Sequence, residues 1–185
     1  MHLQELTDFK EQMMRLITSD NKLMKALVNL NTEDPLNSSL AKLNGAQHTT
    51  GWDYFDVVVF DYPWVGTDLE TEQKAYITLD FMNTGLSGNT FKDISIAVYI
   101  WCHKNKLRMY DEKGLRKMSR VDYIAQRLEK MLNQSPNFGI GKLTFAGFKL
   151  DRLTPDIPGM CLVYATSSFD RPNAPSVIRT ALKGD

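Results

Sequence analysis

FKDISIAVYIWCHKN, residues 91–105, alternates apolar and polar side chains along a strand. Ile94, Ile96, Val98, Ile100 and Cys102 share one face, while Ser95, Ala97, Tyr99, Trp101 and His103 form a semi-apolar face that something should cover. A charged stretch follows, then SRVDYIAQRLEKMLN at 119–133. Here Val121, Ile124, Ala125, Leu128, Met131 and Leu132 recur at helical spacing, Ser119 is a natural N-cap with Asp122 three residues on, and Arg120, Gln126, Arg127, Glu129 and Lys130 are expected to face away. FGIGKLTFAGFKL, residues 138–150, then leads a further strand out of a glycine turn. Strand, charged loop, helix and strand together describe a sheet with a helix laid across it.

Outward from this segment, residues 75–82 alternate, with Ala75, Ile77, Leu79 and Phe81 on one face and Tyr76, Thr78 and Asp80 on the other. The Asn83–Asn89 loop should return this strand as an antiparallel partner of the next one. Val57–Phe60 reads as a short buried strand ending at Asp61-Tyr62-Pro63, and Met160–Phe169 as the last strand after a turn marked by Pro155 and Pro158. At the start of the chain, Leu3, Leu6, Phe9, Met13, Leu16 and Ile17 share a helical face. Thr18-Ser19-Asp20-Asn21 breaks that pattern and caps a second short helix carrying Leu23, Met24, Leu27 and Val28. The expected fold class is α+β: an antiparallel four- to five-stranded sheet, one long helix packed on it, and two short N-terminal helices. The boundaries read as a helical segment at 1–30, a loop or arm at 31–55, a core at 56–170 and a tail at 171–185. The polar arm, within 31–51, and the tail are expected to order on neighbouring subunits.

The chain has 185 residues, 43% of them apolar, enough for one domain that folds without a disulfide or metal. Its 22 Lys and Arg balance 22 Asp and Glu, which argues against a protein built to coat nucleic acid and is compatible with self-association. Cys102 and Cys161 lie in apolar strands and read as buried free thiols of a reducing compartment, a disulfide between neighbouring strands being the other reading. The first residues have neither the basic start nor the apolar core of a signal peptide, and no apolar run approaches the ~20 residues of a membrane span. A soluble protein made in the cytoplasm, with no membrane partner, is expected.

Several residues invite a chemical reading. Asp61 followed by Glu72 and Lys74 matches the order of metal-dependent nucleases of the PD-(D/E)xK type, where two carboxylates hold a divalent ion and the lysine helps activate water. The run GTDLETEQK also reads as a solvated approach to a strand. His103 beside Cys102 lacks the paired, closely spaced ligands of a zinc site, and adjacent strand residues point to opposite faces. Gly139-Ile140-Gly141-Lys142 follows a helix and enters a strand, the reverse of a phosphate loop. Lys104, Lys106, Arg108, Lys113, Arg116, Lys117 and Arg120 make a basic run that is either a solvated loop or a contact surface for DNA or an acidic partner. Trp52, Tyr54, Phe55, Tyr62 and Trp64 gather in irregular sequence and serve either the core or a subunit interface. No catalytic residue, cofactor or metal is assigned from these patterns.

The elements from Asp56 to Phe169 resemble the neck and tail-terminator proteins of tailed bacteriophages. The resemblance runs through FDYPWV, ITLDFMN, FKDISIAVYIWCHKN, SRVDYIAQRLEKMLN, FGIGKLTFAGF and MCLVYATSSFD. It implies a non-enzymatic virion protein that forms a ring with itself, commonly a hexamer, which caps the tail tube and joins it to the head-side connector or stopper proteins. Loops 83–90 and 104–118 would then touch the tube, the connector or passing DNA. The two N-terminal helices and the arm are additions to a minimal terminator and leave a head-closure, stopper or adaptor role open at the same junction.

Overall fold

The computed structural model describes residues 3–42, 54, 56–63, 73–87, 91–133 and 142–166, with backbone alone at 3–6, 82–87 and 91–94. Among the described residues, three α-helices and seven strands form the expected α+β architecture. They are α1 (Leu3–Ser19), α2 (Asn21–Val28), β1 (Val59–Phe60), β2 (Ala75–Ser87), β3 (Phe91–Cys102), β4 (Arg108–Tyr110), β5 (Lys117–Ser119), α3 (Arg120–Leu132), β6 (Leu143–Thr154) and β7 (Ile157–Thr166). The main sheet runs β1-β2-β3-β7-β6, and β4 and β5 form a separate two-stranded hairpin.

Both caps expected from sequence are in place. Asp20 accepts the amide of Leu23 at 2.9 Å to start α2, and Ser119 accepts the amide of Asp122 at 3.3 Å to start α3. Each satisfies a first-turn donor that has no partner within its own helix. All three helices cover one face of the sheet. Phe9, Met13 and Ile17 of α1, Leu23 and Leu27 of α2, and Ile124 and Leu128 of α3 share a core with Ile77, Leu79, Ile96, Val98, Ile100, Leu162 and Tyr164 of the strands. The N-terminal helices are therefore part of the core. The other face holds a smaller cluster of Phe60, Tyr76, Trp101 and Ile157, with Tyr99 and Leu153 against it.

Four details depart from the sequence reading. The short strand β1 pairs with β2 in parallel, Val59 against Ile77 and Phe60 against Thr78, so the sheet is mixed. Residues 83–87 extend β2, with a register shift between Asn83 and Gly85, instead of forming a loop. The last two strands run at 143–154 and 157–166, joined by a two-residue turn at Pro155-Asp156, and Pro158 sits inside β7. There β7 has passed its last pairing with β3, at Gly159–Trp101, so the missing amide costs no ladder bond to β3. Finally, residues 31–42 fold back on the same chain. Asn29 donates to the carbonyls of Pro35 (3.1 Å) and Ser39 (2.9 Å) and accepts the amide of Ala41 (2.6 Å), while Leu36 is buried. The remainder of the arm, 43–51, and the tail beyond Thr166 lie outside the described residues.

Candidate functional site

The charged stretch after β3 is built, not loose. His103 caps a 3-10 turn at Lys104–Lys106, its Nδ1 accepting the amide of Asn105 at 3.2 Å, and is itself buried. The β4–β5 hairpin follows. Its turn, DEKG, closes with Gly114 N donating to Asp111 O at 2.9 Å, and Gly114 has a φ of 68°, where glycine is unstrained. The Asp111 carboxylate accepts the amides of Leu115 (2.8 Å) and Arg116 (3.3 Å), and these bonds hold its pKa below the ordinary value.

Three of these basic side chains meet acids, two of them from distant sequence. Lys104 meets Asp156 at 2.7 Å, Lys117 meets Glu33 at 2.9 Å, and Arg116 meets Asp111 at 3.6 Å. Lys106 reaches Asn31 Oδ1 at 3.3 Å. Arg108 and Lys113 are exposed. Between the hairpin and α3 lies a cleft of about 710 Å³ lined by residues including Lys113, Leu115, Arg116, Met118 and Tyr123. Its floor is polar and internally paired: Tyr123 donates to Glu112 at 3.0 Å, and Glu112 also pairs with Lys22 and, at 3.7 Å, with Arg127. Arg127 pairs in turn with Asp20, the cap of α2. This network ties the hairpin to both α2 and α3.

Arg120, expected on the solvated face of its helix, is fully buried. Its guanidinium donates to the carbonyls of Ala26 (2.6 Å), Lys106 (2.7 Å) and Thr32 (3.5 Å), and its own amide to Leu107 O (2.6 Å). Ala26 lies in the last turn of α2, where carbonyls have no partner in the helix and the dipole is negative, so the cation stabilises that end. The clue was the row Arg120–Ile124–Leu128 at four-residue spacing, which points it inward with the core residues.

Of the nuclease constellation, Asp61 lies in a bend just after β1 and Lys74 just before β2. Glu72 is outside the described residues. Among the described residues, no group of three or more His, Cys, Asp or Glu is arranged to hold a metal. Cys102 and Cys161 are both buried and free. Cys102 shares the core face with Ile100, whereas Cys161 pairs with Tyr99 on the opposite face, so the two cannot bridge. Of the aromatic group, Tyr54 is buried in the core and Tyr62 is exposed, stacked edge-on against Phe60 at 5.8 Å. Trp52, Phe55 and Trp64 lie outside the described residues, as do Gly139, Ile140 and Gly141, while Lys142 is exposed. Among the described residues no helix is long and apolar enough to cross a membrane.

The pairing of β2 with β3 runs to Ser87–Phe91, and β7 pairs with β3 from Ser95 to Trp101. A search of curated proteins returns no match. A family model, YomW, matches residues 20–166, from the cap of α2 to the end of β7. The chain belongs to this phage-associated family.

Proposed function

We propose that this member of the YomW family is a structural virion protein that assembles as a ring, commonly a hexamer, at the neck of a tailed phage. There it would cap the tail tube and join it to the head-side connector. Membership of a phage-associated family is the observation that carries this reading. One feature of the fold supports it. The β4–β5 hairpin is held firmly to the helical layer while Leu115 at its turn is 77% exposed, as a contact residue would be. Because Lys104, Arg116 and Lys117 are already paired with acids, and Lys106 and Arg120 with other oxygens, contact with passing DNA would fall chiefly to Arg108 and Lys113.

The test is reconstitution. The purified chain is mixed with tail tubes lacking this protein, and the products are imaged by negative-stain electron microscopy and weighed by light scattering. Rings on tube ends, followed by attachment to filled heads, are expected. Rings that bind heads but not tubes would assign the chain to head closure instead. A chain that binds neither tubes nor heads would overturn the proposal.

A further inference from the structure

Strand β6 is an edge of the main sheet among the described residues, and it exposes two large apolar side chains, Phe148 at 64% and Leu150 at 71%. Both point to the helical side of the sheet. Phe148 pairs with Leu162 and Leu150 with Met160, and those partners belong to the core. The pair thus continues the core's apolar surface beyond the cover of the helices.

Natural edge strands are kept short, charged or covered because an open row of amides and carbonyls accepts another strand. β6 is 12 residues long. At two of its amides a side chain stands where a neighbouring strand would be. Asn133 Oδ1 accepts from Phe145 N at 3.1 Å, and Asp151 Oδ1 accepts from Arg152 N at 2.8 Å. Amide direction alternates along a strand, so Leu150 and Phe148 turn their amides to the same side as Arg152. The amides of Phe148 and Leu150 lie open between the two stops, and pairing that reaches Arg152 frees its amide from Asp151.

The charges around Leu150 select a partner. In Lys149-Leu150-Asp151 a cation and an anion flank the leucine symmetrically. An antiparallel copy of β6, related by a two-fold axis at Leu150, places Lys149 opposite Asp151 of the second copy, and this happens twice. The same register sets Phe148 opposite Arg152 of the second copy, where a guanidinium can lie over the ring. Shifting the register by two residues sets Lys149 against Lys149 or Asp151 against Asp151. Shifting it by one turns the apolar pair to the wrong face. We infer that β6 is a self-association edge that pairs antiparallel with β6 of a second copy of this chain, centred on Leu150. A two-fold contact closes on itself. The inference therefore stands whether or not the chain builds a ring, and a ring requires a separate head-to-tail surface.

The test uses the full chain and light scattering over a range of concentrations, with circular dichroism to verify folding. The native chain is expected to dimerise. Lys149→Glu and Asp151→Lys should each weaken dimerisation by about tenfold, since each creates two like-charge pairs. The double variant Lys149→Glu/Asp151→Lys should restore it, and so should mixing the two single variants, which then complement each other. Leu150→Cys should form a disulfide-linked dimer on mild oxidation, and Phe148→Cys should not, because residue 148 faces residue 152. A native chain that is monomeric throughout, single variants that dimerise normally, or a double variant that stays monomeric would each overturn the inference.

Discussion

Trp101 of β3 lies directly across the sheet from Gly159 of β7, and its indole covers the space where a side chain at residue 159 would begin. The indole is also stacked on Tyr99, with ring centroids 5.6 Å apart, and its Nε1 donates to Thr78 Oγ1 at 3.3 Å. Glycine at residue 159 is what lets the ring lie flat against the strand. The small cluster on the outer face of the sheet depends on that approach.

Gly159→Ala should therefore be strongly destabilising. Its Cβ would stand 2.4 Å from the carbonyl oxygen of Ile100 and 2.6 Å from the Trp101 ring. A loss of about 1–3 kcal/mol is expected in urea unfolding, the usual range for overpacking. Adding Trp101→Ala relieves the ring contact but leaves the main-chain contact with Ile100. The double variant should recover none of the lost stability, and full recovery would show that the ring alone imposes the glycine.

The fold was legible wherever neighbouring residues decide it. The period of α3, its Ser119 cap, the Asp20 cap of α2 and the alternation of β2 and β3 are local signals, and each element formed where its pattern lies. What escaped depends on partners far along the chain. The direction of β1 is seen only in its pairing with β2, Val59 against Ile77, a partner that no local pattern encodes. The charged run looked like a free basic surface because its acids, Glu33 and Asp156, come from other parts of the sequence. The β4–β5 hairpin had a readable turn, Asp111 to Gly114, but strands of three residues give too little alternation to recognise.

Arg120 was misread by type, not position, and its burial yields the second prediction. Arg120→Met keeps much of the volume but leaves the carbonyls of Ala26, Lys106 and Thr32 without their donor. Each abandoned buried acceptor costs about 1–3 kcal/mol, so a total near 3–5 kcal/mol is expected in denaturant unfolding. Arg120→Lys should fall between, because an ammonium on one stem cannot serve three carbonyls spread around a planar fork. A loss below about 1 kcal/mol for the methionine variant would mean that water replaces the guanidinium.

Glu112 makes the acid limb of stability testable. The hydrogen bond from Lys22 lowers its pKa; burial opposes this, and Tyr123 adds to the lowering. A carboxylate with a depressed folded pKa contributes stability that is complete above its unfolded pKa and is lost as pH falls through the folded value. The native chain should therefore lose stability below about pH 4.5, the ordinary glutamate value. Glu112→Gln should have a shallower slope in that window. The side chain is 41% exposed, so solvent screening keeps the difference to about 0.5 kcal/mol or less. Identical slopes would show that the pairing with Lys22 is not maintained in solution.

The two cysteines set the behaviour at the other end of the pH scale. Burial pushes the Cys102 thiol up to about 12 and raises that of Cys161, so both stay protonated at pH 8, where a thiolate would be needed for reaction. A disulfide reagent should label neither thiol in the native chain and both after unfolding. The linkage runs opposite to that of Glu112. A thiol whose folded pKa is raised contributes stability that is complete below the unfolded value of 9.0 and is lost as pH climbs towards 12. Cys102→Ala should therefore flatten the decline that begins near pH 9, by at most about 1.4 kcal/mol per pH unit. Buried tyrosines such as Tyr76 and Tyr164 also resist ionisation and add their own decline above pH 10, so the interval from 9 to 10 isolates the thiols. Rapid labelling of one thiol at pH 8 without unfolding would mean that the strand carrying it opens locally, and the slope of the alanine variant would identify Cys102 or Cys161 as its source.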